Sequence, residues 1–75
     1  MTETAALLDV ENDGEIVVLL DGRRFLVEPG DMPTACTWSP TASILLGSSR
    51  DRVFNVSMTN EASGETIIAM AAPGK

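Results

Sequence analysis

Arginine has the clearest binding chemistry in this chain. Four of the five basic residues lie beside two predicted turns, and these are Arg23, Arg24, Arg50 and Arg52. A guanidinium binds a carboxylate or a phosphate through two parallel hydrogen bonds. Alternate turns of an antiparallel barrel fall at the same end, so the turns at Asp21-Gly22 and at residues 48–51 are expected to meet. The four arginines are therefore predicted to form an anion-binding cluster, unless local ion pairs with Asp21 and Asp51 engage them.

A second candidate surface surrounds the only tryptophan, Trp38. Pro33 and Pro40 flank it, and Cys36 would share its face of a strand. In barrels that bind peptides, such a combination offers an aromatic groove. The competing prediction is a core role, in which Trp38 closes one end of the barrel and Cys36 is a small buried apolar residue.

Catalytic and metal chemistry are poorly supported. The chain has no histidine and only one cysteine, so neither a Ser-His nor a Cys-His pair can form. The carboxylates of DVENDGE, residues 9–15, lack the length and closing glutamate of a calcium loop, because apolar strand residues begin at residue 16. The glycines match no phosphate-binding loop. We therefore predict that the protein is not an enzyme and needs no metal or other cofactor.

The strongest local pattern is EIVVLLDGRRFLVE, residues 15–28, where two apolar runs flank Asp21-Gly22. This pair suits a two-residue hairpin turn with positive φ at both residues. The register that follows puts Ile16, Val18, Phe25 and Val27 on the core face. It puts Val17, Leu19, Arg24 and Leu26 on the outer face. That face is more apolar than a solvated face needs to be, which suggests a surface for protein binding.

The remaining segments complete a small β-structure. Residues 5–10 are compatible with a strand, and residues 3–10 with a helix. Residues 29–42 contain three prolines and are expected to form a corner with a short extended piece at 35–38. Strands are predicted at residues 43–47, 52–60 and 66–71, with turns at 48–51 and 60–65. Five or six short strands predict an all-β antiparallel barrel, SH3-like or OB-like.

Length and composition limit the organisation and location of the chain. Its 75 residues allow one domain, with an ordered core expected at about residues 5–71 and a frayed tail at 72–75. The single cysteine fits a reducing compartment, and the acidic N-terminal region resembles neither a signal peptide nor a membrane span. These features predict a cytoplasmic protein with no membrane partner. The net charge of −6 disfavours nucleic acid as a partner.

Turn and core motifs follow one another in a fixed order along residues 15–70. They are a DG hairpin followed by an aromatic residue, V-x-P-x-D, W-x-P, I-x-L, D-x-x-F-x-V and G-E-x-I-x-A. The matching residues are Asp21, Gly22, Phe25, Val27, Pro29, Asp31, Trp38, Pro40, Ile44, Leu46, Asp51, Phe54, Val56, Gly64, Glu65, Ile67 and Ala69. This order resembles a group of small stand-alone bacterial β-barrel proteins of uncharacterised function. The resemblance implies a small barrel and brings no activity or site residue.

Together these observations predict a non-enzymatic interaction module. We expect it to bind a protein or to self-associate through the outer side of the 15–28 hairpin, together with the region of Trp38. The alternative is binding of RNA or single-stranded DNA by the arginine cluster, as some OB-like and Sm-like barrels do.

Overall fold

The computed structural model describes residues 3–72, which form six β-strands joined by turns and short helical segments. The strands are β1 (Glu3–Glu11), β2 (Ile16–Leu19), β3 (Arg24–Val27), β4 (Ser43–Ser48), β5 (Val56–Asn60) and β6 (Thr66–Ala71). A left-handed 3-10 turn, with positive φ at all three residues, lies at Asn12–Gly14. A second, right-handed 3-10 turn at Pro29–Asp31 leads into a one-turn helix, α1 (Met32–Ala35). Of the predicted tail, Ala72 donates a hydrogen bond to the Arg24 carbonyl. The rest lies outside the described residues.

The six strands close into one antiparallel barrel in the order β1-β2-β3-β6-β5-β4. The first three strands form a meander, after which the chain crosses one end of the barrel and β4 returns beside β1, a Greek-key connection. The last three strands form a second meander, and β6 pairs with β3. The predicted small all-β barrel is confirmed, with six strands.

Strand β1 joins the two meanders because its halves pair with different neighbours. Its first residues, from Glu3 to Ala6, pair with β4, and the remainder pairs with β2. The register against β2 shifts between Leu7 and Asp9, which marks a bulge that bends the strand. Of the two structures considered for residues 5–10, the strand is correct and the helix is wrong.

The barrel interior is one apolar cluster to which all six strands contribute. Its buried members are Leu7, Val17, Leu19, Phe25, Val27, Ala35, Trp38, Ile44, Leu46, Met58, Ile67 and Ala69. Burying a large apolar side chain stabilises a fold by about 1.5–3 kcal/mol relative to leaving it exposed. This cluster is therefore the main stabilising element of a very short chain.

The β2–β3 hairpin differs from its predicted register by one residue. Its loop has three residues, 20–22, because the Leu19 amide donates to the Arg23 carbonyl (2.8 Å) and the Gly22 amide donates to the Leu19 carbonyl (2.9 Å). Only Gly22 has a positive φ there, at 98°. The hairpin therefore has a three-residue loop closed by a G1 bulge, with glycine in the left-handed position. The predicted two-residue turn is wrong.

The shift exchanges the two faces of β2. Val17 and Leu19, expected on the outer face, are fully buried in the core, and Val17 pairs with Phe25. Ile16 and Val18, expected in the core, belong to the outer face, although Val18 is itself covered. The run IVVLL is apolar at every position, so either register buries apolar side chains and the loop decides between them. The faces of β3 are as predicted.

The connection between β3 and β4 covers one end of the barrel, which we call the closed end. Here α1 packs tightly on the first 3-10 turn, since a Cβ built on Gly14 would lie 2.2 Å from the Met32 carbonyl oxygen. The extended piece predicted at residues 35–38 is wrong. Pro33 lies in the first turn of α1, where proline is well tolerated. The Trp38 amide donates to the Ala35 carbonyl, so the chain continues in a helical turn instead of extending.

Beyond the end of β3, the Asp31 side chain supplies the hydrogen-bond acceptor that a neighbouring strand would otherwise give to β6. The Glu28 amide donates to the Ile68 carbonyl (3.0 Å), after which the chain leaves the sheet. The Asp31 carboxylate then accepts a hydrogen bond from the Ile68 amide at 2.9 Å. A backbone donor in the barrel wall is costly without a partner, and this side chain supplies one.

The strand predicted at residues 52–60 begins only at Val56. The Asp51 carboxylate accepts hydrogen bonds from the amides of Val53 and Phe54, both at 2.8 Å, and holds residues 49–55 in a loop instead. The predicted strand is therefore wrong for residues 52–55 and correct for β5. Strands β4 and β6 and the turn between β5 and β6, with Gly64 at a φ of 76°, agree with prediction.

The contact at Gly14 predicts a large loss of stability for Gly14→Ala. The new Cβ would overlap backbone atoms of Met32, and alanine would be strained at a φ of 99°. We expect an unfolding free energy lower by about 3–4 kcal/mol, measured by urea denaturation with Trp38 fluorescence. The control is Gly22→Ala, at a φ of 98° with no atom near the added Cβ, which should cost only about 1–2 kcal/mol. Equal losses would contradict the packing argument.

Candidate functional site

The end of the barrel opposite α1 carries the loops at residues 20–23 and 49–55, and we call it the open end. Here Glu3, at the start of β1, pairs with Leu46 near the end of β4. A depression of about 230 Å³ lies between these elements. Its base is apolar and comes from Phe25, Leu46 and Val56, while Glu3, Arg23 and Ser48 supply polar groups. The mouth of a barrel with such a lining is a common place for a ligand.

Arg23 is held at the open end by two carboxylates. Its Nη1 and Nη2 donate to the two carboxylate oxygens of Glu3 at 3.1 and 2.7 Å, and its Nε donates to Asp21 at 2.8 Å. These bonds, first to Glu3 and then to Asp21, raise the pKa of the Arg23 guanidinium above its ordinary value. The local ion pairing weighed as an alternative is thus present for Arg23. Its main partner, Glu3, was not anticipated.

Arg24 does not join the cluster predicted for it. It lies on the outer face of β3, and its Nη2 donates to Glu11 at 2.9 Å. Glu11 is the last residue of β1, whereas Glu3 at the open end is the first. The Arg24 guanidinium is therefore drawn along the barrel wall, away from the open end.

Arg50 and Arg52 lie in the exposed loop at residues 49–55, at the same end as Arg23. Within residues 3–72 neither forms a salt bridge. Asp51, the expected partner, instead binds the backbone amides of its own loop, and those bonds lower the pKa of its carboxyl group. The open end therefore carries Arg23, Arg50, Arg52 and three carboxylates, rather than four arginines and two carboxylates.

Trp38 is at the closed end and is only 6% exposed. Its indole Nε1 donates to the Glu65 carboxylate at 3.0 Å. The prediction of an exposed aromatic groove is wrong, and Trp38 is a lid on the core. Cys36 is exposed rather than buried. It does not share a face with Trp38, because the backbone here is helical and not extended.

A row of apolar side chains crosses the outside of three adjacent strands. Ile16 pairs with Leu26, and Leu26 pairs with Met70, so strands β2, β3 and β6 each contribute one residue in register. Ile68 lies on the same face of β6 as Met70. All four are half-buried, and we call this surface the apolar wall. Sequence reasoning found Leu26 but missed the rest, although both faces of TIIAMA carry apolar residues.

The other side of the barrel is different in character. The outward residues of β5 and β6 there are Ser57, Thr59 and Thr66, and the last two share a hydrogen bond between their hydroxyl groups at 2.8 Å. Leu45 on β4 is a single apolar residue between Thr4 and Thr59 on the neighbouring strands. This side is therefore more polar outside than β2 and β3, although the exposed large apolar residues, Leu8, Leu20 and Val53, lie on β1 and in the loops of the open end.

Few titratable groups described by the structure have shifted pKa values or lie in clusters. Across residues 3–72, histidine, cysteine and carboxylate side chains form no group of three that could hold a metal ion. The two carboxyl groups with shifted pKa values, Asp21 and Asp51, are both shifted downward, which keeps them ionised at neutral pH. No helix within the same residues is long and apolar enough to span a membrane.

These shifts predict a loss of stability in acid. The pKa values of Asp21 and Asp51 are lowered in the folded state, so both groups stabilise the fold above the ordinary value of 3.8. This contribution is lost as the pH falls through the lowered values. Carbon-13 titration of the carboxyl groups should give both pKa values below 3.8. In Arg23→Gln the pKa of Asp21 should return towards 3.8 while that of Asp51 stays low. A pKa of Asp21 that ignores the substitution would contradict the ion pair.

Comparisons with protein-family models, with curated proteins and with solved structures find no significant match to this chain. The resemblance to small bacterial barrels remains a prediction from the sequence. The fold and the geometry of the two surfaces are therefore the basis for any functional proposal.

Proposed function

We propose that this protein is a non-enzymatic module that binds another protein through its apolar wall. The observation that carries this proposal is the in-register row of Ile16, Leu26 and Met70 outside the barrel. An outer face that only meets water is usually polar, as it is around Thr59 and Thr66. A contiguous apolar patch on one side favours contact with a partner. The proposed surface lies on the hairpin that the sequence predicted, but Ile16 takes the place of Val17 and Leu19. The region of Trp38, which is buried, is no longer part of it.

The charges around the apolar wall favour a basic partner over a second copy of the chain. Glu28 follows Leu26 on the same side of the hairpin, whereas Glu11, beside Ile16 on the neighbouring strand, is paired with Arg24. Two copies of a protein with a net charge of −6 repel each other, which opposes self-association through this face. A partner with apolar residues flanked by lysine or arginine would complement both features.

Nucleic acid is the weaker candidate. Arg24 is paired with Glu11 on the barrel wall, and Trp38, the natural stacking platform, is buried. Single-stranded nucleic acids are usually held by exposed aromatic residues in a basic groove. A cytoplasmic location is part of the proposal, because an exposed free thiol at Cys36 suits a reducing compartment.

A charge placed in the apolar wall tests the proposal. The protein is immobilised as bait in extract from the cells that produce it, the retained protein is identified, and the purified pair is titrated by calorimetry. Leu26→Lys should weaken binding at least about tenfold, as loss of a central apolar contact does. The matched control is Leu45→Lys, also half-buried and outward but on the opposite side. It should leave the affinity unchanged.

Salt and oligomeric state supply two independent checks. Affinity for a basic partner should fall as sodium chloride is added, because the acidic flank is screened. Light scattering should give the mass of a monomer for the protein alone. If the protein is a dimer that Leu26→Lys dissociates, the apolar wall serves self-association and the proposal is wrong. If the two lysine variants weaken binding equally, the apolar wall is not the binding surface.

A further inference from the structure

We infer that the open end is a binding site for a carboxylate joined to a short apolar group, and that Glu3 occupies the carboxylate position when no ligand is bound. The site is formed by Arg23 and the apolar base of Phe25, Leu46 and Val56. It lies at a different place from the apolar wall and stands independently of the proposed function.

The Arg23 guanidinium already binds one carboxylate, that of Glu3, through two hydrogen bonds. Both Nη groups donate to Glu3, one to each oxygen, at 3.1 and 2.7 Å. The third contact, from Nε to Asp21, fixes the plane of the guanidinium, and Asp21 is itself fixed by the Arg23 amide at 3.0 Å. Asp21 is therefore a positioning residue, and the paired Nη edge is the part offered to a ligand.

Glu3 is well placed to be displaced. Its side chain is 58% exposed and that of Arg23 is 40% exposed, and an ion pair so open to water contributes little to stability. Exchange of one carboxylate for another conserves the hydrogen bonds of Arg23. Arg50 and Arg52 lie at the same end, and within residues 3–72 they have no carboxylate partner, so they raise the local concentration of anions.

The neighbouring apolar surface specifies the rest of the ligand. Phe25 and Leu46, each 6% exposed, and the half-buried Val56 line the 230 Å³ depression together with Arg23 and Glu3. Little of this apolar surface remains open, so a side chain as small as that of valine or leucine is enough to cover it, provided that its carboxylate is only a few bonds away. Two sources have this chemistry: a small branched-chain carboxylic acid, and the C-terminal residue of a peptide that ends in leucine or valine.

The experiment titrates nitrogen-15-labelled full-length protein with three probes: 4-methylpentanoate, acetyl-Gly-Gly-Leu with a free carboxylate, and the same peptide with a C-terminal amide. We expect the backbone signals of Arg23, Phe25 and Gly47 to shift with at least one of the two carboxylates and not with the amide. Binding of the free acid alone would identify a small-molecule site, and tighter binding of the peptide would identify a chain terminus.

Two matched glutamine variants test the role of Glu3. Glu3→Gln removes the internal competitor and should tighten binding, by up to about fivefold for an ion pair of this exposure. Glu11→Gln, which frees Arg24 on the wall instead, should have no effect. Arg23→Gln should abolish binding while Trp38 fluorescence reports an intact core. The inference is overturned if the amide binds as well as the acid, if neither carboxylate shifts these signals at millimolar concentration, or if Glu3→Gln binds no tighter than the unmodified protein.

Discussion

The turn at residues 20–22 controls which side chains of the central hairpin meet the core and which meet the surroundings. A single additional loop residue, accommodated by the positive φ of Gly22, aligns Val17 with Phe25 and places Ile16 on the outer face beside Leu26. A strand has only two faces, so no intermediate arrangement exists. The apolar wall and the core therefore depend on the same few hydrogen bonds at the tip of one hairpin.

The two ends of the barrel are stabilised in different ways. At the closed end, α1, the buried Trp38 and the tight contact at Gly14 exclude water from the core. A chain this short has a small core and needs all of it to be buried. At the open end, polar contacts hold the loops in place: the carboxylates of Asp21 and Asp51 bind backbone amides, and Arg23 binds Glu3. Apolar packing thus dominates at one end and polar contacts at the other.

Much of the fold could be predicted from the sequence because turn-forming residues separate short apolar runs at nearly every junction. The register of the hairpin could not, because IVVLL has no alternation to distinguish one face from the other. The loop at residues 49–55 escaped prediction because RVFNV alternates as a strand does, while Asp51 binds two backbone amides locally. The partner of Arg23 depends on the placement of β1 beside β4, a long-range pairing that residue types do not reveal.

The hydrogen bond from Ile68 to Asp31 has a consequence for how the chain moves. It anchors the long connection between β3 and β4 near its start, so the span free to fluctuate is shorter than the distance between the two strands suggests. The same connection is fastened again further along, where the Trp38 Nε1 donates to Glu65 and the Thr41 amide donates to the Leu7 carbonyl. The cover of the closed end is therefore held to the sheet at three places, and a single carboxylate provides the first of them.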